Sequence, residues 1–212
     1  MTDTTTAQPV LRFSLKVSEL ERISYLTEVA DKPGTSRYPI LETVCLSVSD
    51  GQLRAQATNR VIVAEYRPKV EELSFDESNN SPRIPVPVNF LKDAAKMAAA
   101  SIRPSERKMR SVLVECFEDT IRVCRGASQT STQIPAERFP AVDRFMMNPA
   151  ELETALITGL SAKQLGKVIK LAGKFKQEKL YFFSNGEKGK PILVHIPQEP
   201  GLTVVIQPLV AL

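Results

Sequence analysis

Histidine, tryptophan and cysteine are scarce in this sequence of 212 residues, which has one His, no Trp and three Cys. His195 lies in an alternating apolar run far from any cysteine or aspartate cluster, whereas triads, zinc sites and proton relays commonly use histidine. Cys45, Cys116 and Cys124 match no metal-binding spacing and lie in apolar runs, which predicts buried core side chains. We therefore expect no catalytic residues, no metal site, no cofactor and no enzymatic activity.

Long hydrophobic runs and a secretory leader are also missing. The longest apolar runs, such as residues 202–206, are far shorter than the roughly 20 residues of a membrane-spanning helix. Residues 1–10 are polar and rich in threonine, which predicts a flexible tail and no signal peptide. With 42% hydrophobic and 25% charged residues, the composition is that of a folded globular protein. We expect a cytoplasmic, nucleoid-associated protein that binds no membrane.

One local order of elements occurs three times along the chain. Amphipathic helices are predicted to begin near Val17, Val88 and Ser161, each after an extended segment and before a series of β-rich runs. The Asp50-Gly51 pair predicts a tight hairpin turn. Helices followed by antiparallel strands predict an α+β fold of three strand-helix-three-strand half-domains. We call these half-domains the first unit (residues 11–70), the second unit (84–145) and the third unit (152–212); the first two are predicted to form one complete domain (11–145).

Basic charge is concentrated in the second half of the chain. Residues 1–82 have a net charge of −3, whereas residues 83–150 have +4 and residues 151–212 have +3. On the third predicted helix four lysines fall within about 60° of one another on one face, opposite an apolar face that includes Ile169. The second helix has an equivalent set of cations. The candidate DNA-binding residues on these two helices are Lys163, Lys167, Lys170, Lys174, Lys92, Lys96 and Arg103.

The lysine face of the third helix indicates a polyanionic partner. No Asp or Glu lies between Ser161 and Gln177 to balance these lysines, and like charges at i,i+4 cost a few tenths of a kcal/mol each. Because no aromatic residue lies among the lysines, contact with a duplex backbone is favoured over base stacking on a single strand. A purely solubilising lysine face is the alternative. The first helix has Glu21, Tyr25 and Glu28 outward, so we expect little DNA attraction there.

Short motifs in a fixed order resemble the bacterial β sliding clamp family, the processivity factor of DNA polymerase III. The first unit contains Tyr38-Pro39-Ile40-Leu41, the Asp50-Gly51 turn and Ala57-Thr58-Asn59 in the family's order. Residues 134–140 (IPAERFP) resemble the segment that closes a clamp domain, and residues 204–209 (VVIQPL) resemble the family's terminal strand and tail. A clamp chain has six half-domains, so the resemblance is to a shortened form.

The resemblance implies a ring of twelve half-domains whose helices line a hole for duplex DNA. It places Arg37 near a basic position on a DNA-facing loop. It also implies a pocket for polymerase peptides, of which only the final wall has a counterpart in this sequence. The candidate partner-binding residues are Val205, Pro208, Leu209 and Leu212, which are apolar close to the end of the sequence.

The predicted function is that of a sliding-clamp-like processivity factor that encircles duplex DNA as an oligomer and tethers DNA polymerase or repair enzymes. A clamp loader is a further partner that the resemblance implies. A non-encircling relative that regulates a polymerase or another clamp is the alternative, and a DNA-acting enzyme is a third. The third unit is expected to lack a partner in its own chain, which predicts pairing between third units in an even-numbered homo-oligomer, with a tetrameric ring favoured over a dimer.

Overall fold

A computed structural model of the protein describes residues 8–75, 82–146, 153–154, 160–184, 190–197 and 199–208. The helices are α1 (Val17–Tyr25), α2 (Val88–Ala99) and α3 (Ala162–Lys174). The strands are β1 (Leu11–Lys16), β2 (Thr43–Ser49), β3 (Gln52–Thr58), β4 (Ile62–Tyr66), β5 (Val70–Phe75), β6 (Arg83–Pro87), β7 (Ser111–Cys116), β8 (Thr120–Arg125), β9 (Ser128–Gln133), β10 (Glu153–Thr154), β11 (Tyr181–Ser184), β12 (Ile192–His195) and β13 (Leu202–Ile206). None of the described helices has the length and apolar character needed to cross a membrane.

Two antiparallel sheets carry the three helices. One sheet has the strand order β5-β1-β7-β8-β9, and the other has the order β10-β11-β12-β13-β4-β3-β2-β6. The first and second units exchange strands, because β1 lies in the sheet of the second unit and β6 lies in the sheet of the first. Helices packed on antiparallel sheets confirm the predicted α+β class.

Local sequence explains the burial pattern of β1 and the turn between β2 and β3. In β1 the alternating residues Leu11, Phe13 and Leu15 are buried, as a half-buried strand requires. Asp50 and Gly51 have φ values of 53° and 68°, so both central residues of the β2–β3 turn are left-handed, as the predicted hairpin requires. The first helix ends at Tyr25, and a 3₁₀ turn over Leu26–Glu28 follows it directly.

The third unit is joined to the first by a continuous sheet. All five residues of β13 pair with β4, from Leu202 opposite Tyr66 to Ile206 opposite Ile62. On the helix side, Phe175 packs against the rings of Tyr25 and Tyr66, with centroid distances of 5.3 Å and 5.5 Å. The expectation that the third unit lacks a partner in its own chain is therefore wrong, because β4 supplies one. Pairing between third units of two chains loses its physical reason.

Candidate nucleic-acid interface

Helix α1 lies between α2 and α3 and contacts both of them. A groove of about 550 Å³ follows this helix layer, and it is lined by Lys92 and Lys96 from α2 and by Lys174 from α3. Residues of α1, among them Glu21 and Tyr25, also line the groove. The fold thus brings lysines of the second and third units, which are about 80 residues apart in the sequence, to one surface.

Three lysines of α3 are exposed. Lys163, Lys170 and Lys174 project from the face opposite the core residues Val168 and Ala172. The helix contains no acidic residue, so no carboxylate of its own turn neutralises these charges. Ile169 was expected on the apolar face and is 54% exposed, because it lies one 100° step from Val168, at the margin of the buried stripe.

The ammonium group of Lys167 is hydrogen-bonded to the first unit. Its ammonium donates hydrogen bonds to the carbonyl oxygens of Val29 (3.1 Å) and Ala30 (3.2 Å) and lies 3.9 Å from an Asp31 carboxylate oxygen. Burial, first of all, lowers the pKa of Lys167, and the charges of Lys163 and neighbouring residues lower it further against the opposing effect of Asp31. The expectation that Lys167 faces solvent beside the other lysines is therefore wrong, because carbonyl groups of the first unit hold its charge.

The cations of the second unit are exposed but lie in different settings. Lys92 and Lys96 border the groove. The Lys96 ammonium also forms an exposed ion pair with the Asp93 carboxylate at 3.4 Å, so part of its charge is balanced within the same helix. Such a pair contributes about 1 kcal/mol or less. Arg103 and Arg37 are both exposed, in the segments that follow α2 and precede β2. Neither of these arginines lines the groove.

Most charged residues of α1 form ion pairs or hydrogen bonds with other residues of the protein. Glu21 pairs with Arg107, and Arg22 donates a hydrogen bond to Glu199 at 3.0 Å. Glu19 is buried and accepts a hydrogen bond of 2.7 Å from the hydroxyl of Tyr66. Burial and the neighbouring Glu19 raise the pKa of Tyr66, although the charge of Arg22 opposes this shift, so the phenol remains protonated. The α1 surface therefore offers little free charge of either sign, in line with its sequence.

The opposite face of the eight-stranded sheet carries a second feature. Along β2, Val44 and Leu46 point into the main core, whereas Cys45 points to the other face. There Phe139 and Val142, from the end of the second unit, pack against Cys45 and Val63. Burial, above all, raises the pKa of the Cys45 thiol to about 12, so this cysteine is an inert packing residue as predicted.

Residues 139–146 thus cross the outer face of the sheet, and we call them the crossing segment. An apolar cleft of about 220 Å³ lies beside this segment. The third unit contributes Val205, which is only 3% exposed, and the neighbouring Pro208 is buried. Leu209 and Leu212 lie outside the described residues. The residues that line the cleft are Leu41, Thr58, Arg60, Val61, Val63, Pro140, Val142, Phe145, Pro191, Val205 and Gln207. The first and second units supply the walls of this cleft other than those formed by Pro191, Val205 and Gln207.

Asp143 fixes the segment that forms one wall of the cleft. Gln56 donates a hydrogen bond to its carboxylate at 2.9 Å, and Arg83 forms an ion pair with it. Burial alone would raise the pKa of Asp143, but the Gln56 hydrogen bond and the Arg83 charge outweigh it and lower the pKa. At the rim, Arg60 lies over the ring of Tyr38 and Arg144 over that of Phe145, with distances of 5.0 Å and 4.7 Å. The rim is therefore cationic around an apolar floor.

Comparison with known proteins identifies the fold. No protein-family model and no curated protein matches the sequence. The DNA polymerase III subunit beta from Pseudomonas aeruginosa matches with a TM-score of 0.74 at 17% identity, over 100% of this chain and 69% of that protein. A DnaN sliding clamp from the same organism, solved bound to griselimycin, gives 0.74 at 15% identity, over 100% and 68%. The Bacillus subtilis DNA polymerase sliding clamp gives 0.68 at 13% identity, over 95% and 64%.

These matches confirm the fold that the sequence motifs implied. The chain has the sliding-clamp fold in a shortened form, and it spans about 69% of the length of the Pseudomonas aeruginosa subunit. Among the residues that the structure describes, no cluster of His, Cys, Asp or Glu could hold a metal ion.

Proposed function

We propose that this protein is a sliding-clamp-like processivity factor that binds duplex DNA on its helix face, encircles it as an oligomer and tethers a DNA polymerase or repair enzyme. The sliding-clamp fold supports this role. The observation that carries it is the row of exposed lysines on α3, Lys163, Lys170 and Lys174, without any acidic residue in that helix. Lys92 and Lys96 extend the same cationic surface across α1.

The chemistry of this surface fits a phosphate backbone. Separate ammonium groups on a helix contact phosphates through charge alone and read no base sequence, so binding does not depend on sequence. Because such binding releases counterions, the affinity should fall steeply as salt rises. A surface of this kind holds DNA near the protein while leaving it free to slide. The proposed role is non-catalytic and cytoplasmic, in association with the nucleoid.

The test is a triple charge reversal on α3. Lys163→Glu, Lys170→Glu and Lys174→Glu together should abolish binding to duplex DNA at low salt, with an unchanged circular dichroism spectrum because all three side chains are exposed. Lys167 is left intact because it holds the first unit. Fluorescence anisotropy with two duplexes of unrelated sequence measures the loss.

A second triple reversal serves as the control. Arg122→Glu, Arg138→Glu and Arg144→Glu change the net charge equally, but these exposed arginines lie on β8 and on the segment that crosses the outer sheet face, away from the groove. This variant should retain most of the DNA binding. An equal loss of DNA binding in both variants would show that binding depends only on the net charge of the protein. Unchanged binding in the α3 variant would contradict the proposal that the α3 lysines bind DNA.

The cleft is the proposed tethering site. Its apolar floor at Val205 and its cationic rim suit a peptide with large apolar side chains, and we propose that Pro208, Leu209 and Leu212 also contribute to partner binding. Griselimycin, which is bound to the Pseudomonas aeruginosa clamp, is a suitable probe. Calorimetry should show binding by the wild-type protein and weaker binding after Phe145→Ala or after deletion of residues 209–212.

Met109→Ala is the matched control for the cleft, since Met109 is an exposed apolar residue that does not line it. Its binding of griselimycin should equal that of the wild-type protein. The deletion should also preserve the oligomer size. Absence of binding by the wild-type protein, or equal binding by all variants, would contradict the tethering site.

Encirclement requires more than one chain. One copy supplies three of the twelve half-domains that the clamp resemblance implies, so we propose a ring of four copies, loaded by a clamp loader, in preference to a dimer, which would supply only six. The cleft is formed within one chain and needs no ring, which favours one alternative, a non-encircling clamp relative that binds a polymerase or another clamp through the same cleft. Retention on circular DNA separates the two.

A further inference from the structure

The turn between β3 and β4, residues 58–62, contacts both the cleft and helix α3, and we call it the cleft turn. Thr58, Arg60 and Val61 of this turn line the cleft. Asn59, which lies between them in the sequence, is only 8% exposed. Its amide nitrogen donates a hydrogen bond of 2.8 Å to the Oε1 atom of Gln164, in the first turn of α3. The cleft turn therefore connects the proposed partner site to the helix that carries the exposed lysines.

The side chain of Asn59 also holds the shape of the cleft turn. Its Oδ1 atom accepts hydrogen bonds from the backbone amides of Val61 at 3.2 Å and Ile62 at 2.9 Å. Because backbone N–H groups can only donate, Oδ1 must face them, and the NH₂ group of Asn59 must face Gln164. Gln164 must then present its oxygen. The hydrogen bond between the first and third units therefore has one direction, and both ends of the Asn59 amide are used.

The conformation of Arg60 makes the cleft turn dependent on such contacts. Its φ is 75°, in the left-handed region, which costs free energy for a residue that has a Cβ atom. The Arg60 amide donates a hydrogen bond to the Thr58 hydroxyl at 3.1 Å, and its guanidinium lies over the Tyr38 ring at the rim of the cleft. A strained conformation persists only where the surrounding structure holds it. Asn59 supplies two hydrogen bonds within this turn and is itself held by Gln164.

The other end of this connection lies among the proposed DNA contacts. Gln164 directly follows the exposed Lys163 in the first turn of α3. Lys167, one turn further along the helix, holds α3 to the carbonyl groups of Val29 and Ala30. The start of α3 is thus attached to the first unit at two places on successive turns. A phosphate bound at Lys163 would lie beside the residue that holds the cleft turn.

We propose that Gln164 and Asn59 are positioning residues that couple the two proposed binding sites, so that duplex DNA on α3 favours the conformation of the cleft turn that binds a partner peptide. Bound phosphates restrict α3 and keep the Gln164 oxygen in place for Asn59, which lowers the conformational cost of partner binding. By thermodynamic reciprocity, a ligand in the cleft raises the affinity for DNA by the same factor. The inference rests on the proposed function and adds to it the regulation of the cleft by DNA.

The cleft turn keeps its attachment to the sheet without Gln164. The Gln207 amide donates a hydrogen bond to the Val61 carbonyl at 2.8 Å, and the Thr58 hydroxyl donates one to the Ile62 carbonyl at 2.8 Å. Neither bond involves α3. Removal of the Gln164 amide should therefore leave the hairpin folded while it breaks the connection to α3. A substitution at this position separates the coupling from the stability of the fold.

The test measures both affinities of the full chain. Calorimetry with griselimycin, the probe for the cleft, is carried out with and without a saturating duplex, and anisotropy with a labelled duplex is carried out with and without griselimycin. In the wild-type protein each ligand should raise the affinity for the other by the same factor, about fivefold or more. Gln164→Leu should bind both ligands with a factor close to one. Gln164→Glu keeps an acceptor oxygen for Asn59 and should retain the coupling, even where its charge weakens DNA binding itself.

Gln52→Leu is the matched control, because Gln52 is exposed and lies at the opposite end of β3 from the cleft turn. This variant should have the coupling factor of the wild-type protein, and circular dichroism confirms that all three variants fold. Independent binding of the two ligands by the wild-type protein would overturn the inference and leave the proposed function standing. Full coupling in Gln164→Leu, or its complete loss in Gln164→Glu, would also overturn it. A wild-type protein that fails to bind either ligand would contradict the proposed function together with this inference.

Discussion

Single residues determine how closely the third unit approaches the first. Gly201 precedes β13, and its carbonyl accepts a hydrogen bond from the Arg67 amide at 2.9 Å. A Cβ atom at Gly201 would lie 2.9 Å from the Arg67 carbonyl oxygen and 3.3 Å from the Tyr66 ring. Backbone atoms cannot move aside as a flexible side chain can. The missing side chain at this position therefore permits the junction between β13 and β4.

Gly201→Ala should lower the free energy of unfolding by about 1–3 kcal/mol, because the new methyl group overpacks the junction. Gly166→Ala is the control, since a Cβ there meets nothing within 4 Å and replaces a helical glycine, which should add about 0.5–1 kcal/mol. Urea unfolding measures both values. A Gly201→Ala protein as stable as the wild type would show that the two units are not closely packed there.

Asp143 should make the wall of the cleft sensitive to acid. Since its pKa is lowered in the fold, its contribution to stability is present above the unfolded pKa of about 3.9 and is lost as the pH falls through the lower folded value. Asp143→Asn should therefore lower Tm at neutral pH, and the difference from the wild type should shrink below about pH 4. Asp93→Asn, at an exposed site on α2, is the control. A difference that is constant with pH would contradict the ion pair with Arg83.

At the scale of elements, periodicity predicts the helices well and their individual contacts less well. The helical pattern places the starts of α2 and α3 within one residue of the observed starts and places Lys92, Lys96 and Lys170 on exposed positions. Lys167 has the same helical phase, yet its partners are carbonyl groups at Val29 and Ala30, far away in the sequence. Periodicity within one element gives no information about such partners.

The cleft was incompletely predicted for the same reason. Val205 and Pro208 could be singled out from the resemblance of one terminal segment. Thr58, Val142 and Phe145 come from two other units, and only the strand exchange and the crossing segment bring them to the same place. Apolar residues in loops, such as Phe145, carry no periodic signal that marks them as parts of a site.

Lys167 should contribute to the stability of the fold, whereas the exposed lysines of α3 are proposed to contribute to DNA binding. Lys167→Met leaves the carbonyl groups of Val29 and Ala30 without this donor, which should cost about 1–3 kcal/mol of unfolding free energy. Lys170→Met is the matched control at an exposed position and should change stability by less than about 0.5 kcal/mol. Chemical denaturation of both proteins distinguishes the two roles. If the Lys167→Met and Lys170→Met proteins were equally stable, Lys167 would have no structural role beyond that of the exposed lysines.

At the scale of the whole molecule, the continuous eight-stranded sheet links the first and third units, and the helices form one layer beside it. The exposed lysines of α2 and α3 therefore lie on one side of the chain, while the cleft lies on the opposite face of the sheet. This separation leaves room for the duplex and the partner that we propose to occupy the protein at the same time.

Retention on circular DNA tests the proposed encirclement most directly. The protein, assembled with its loader where one is needed, is placed on nicked circular duplex and separated from free protein by gel filtration in salt that removes simple electrostatic contacts. The account predicts that the protein stays on the circle and is lost when a restriction enzyme linearises it. Equal retention on circular and linear DNA, or none on either, would contradict encirclement.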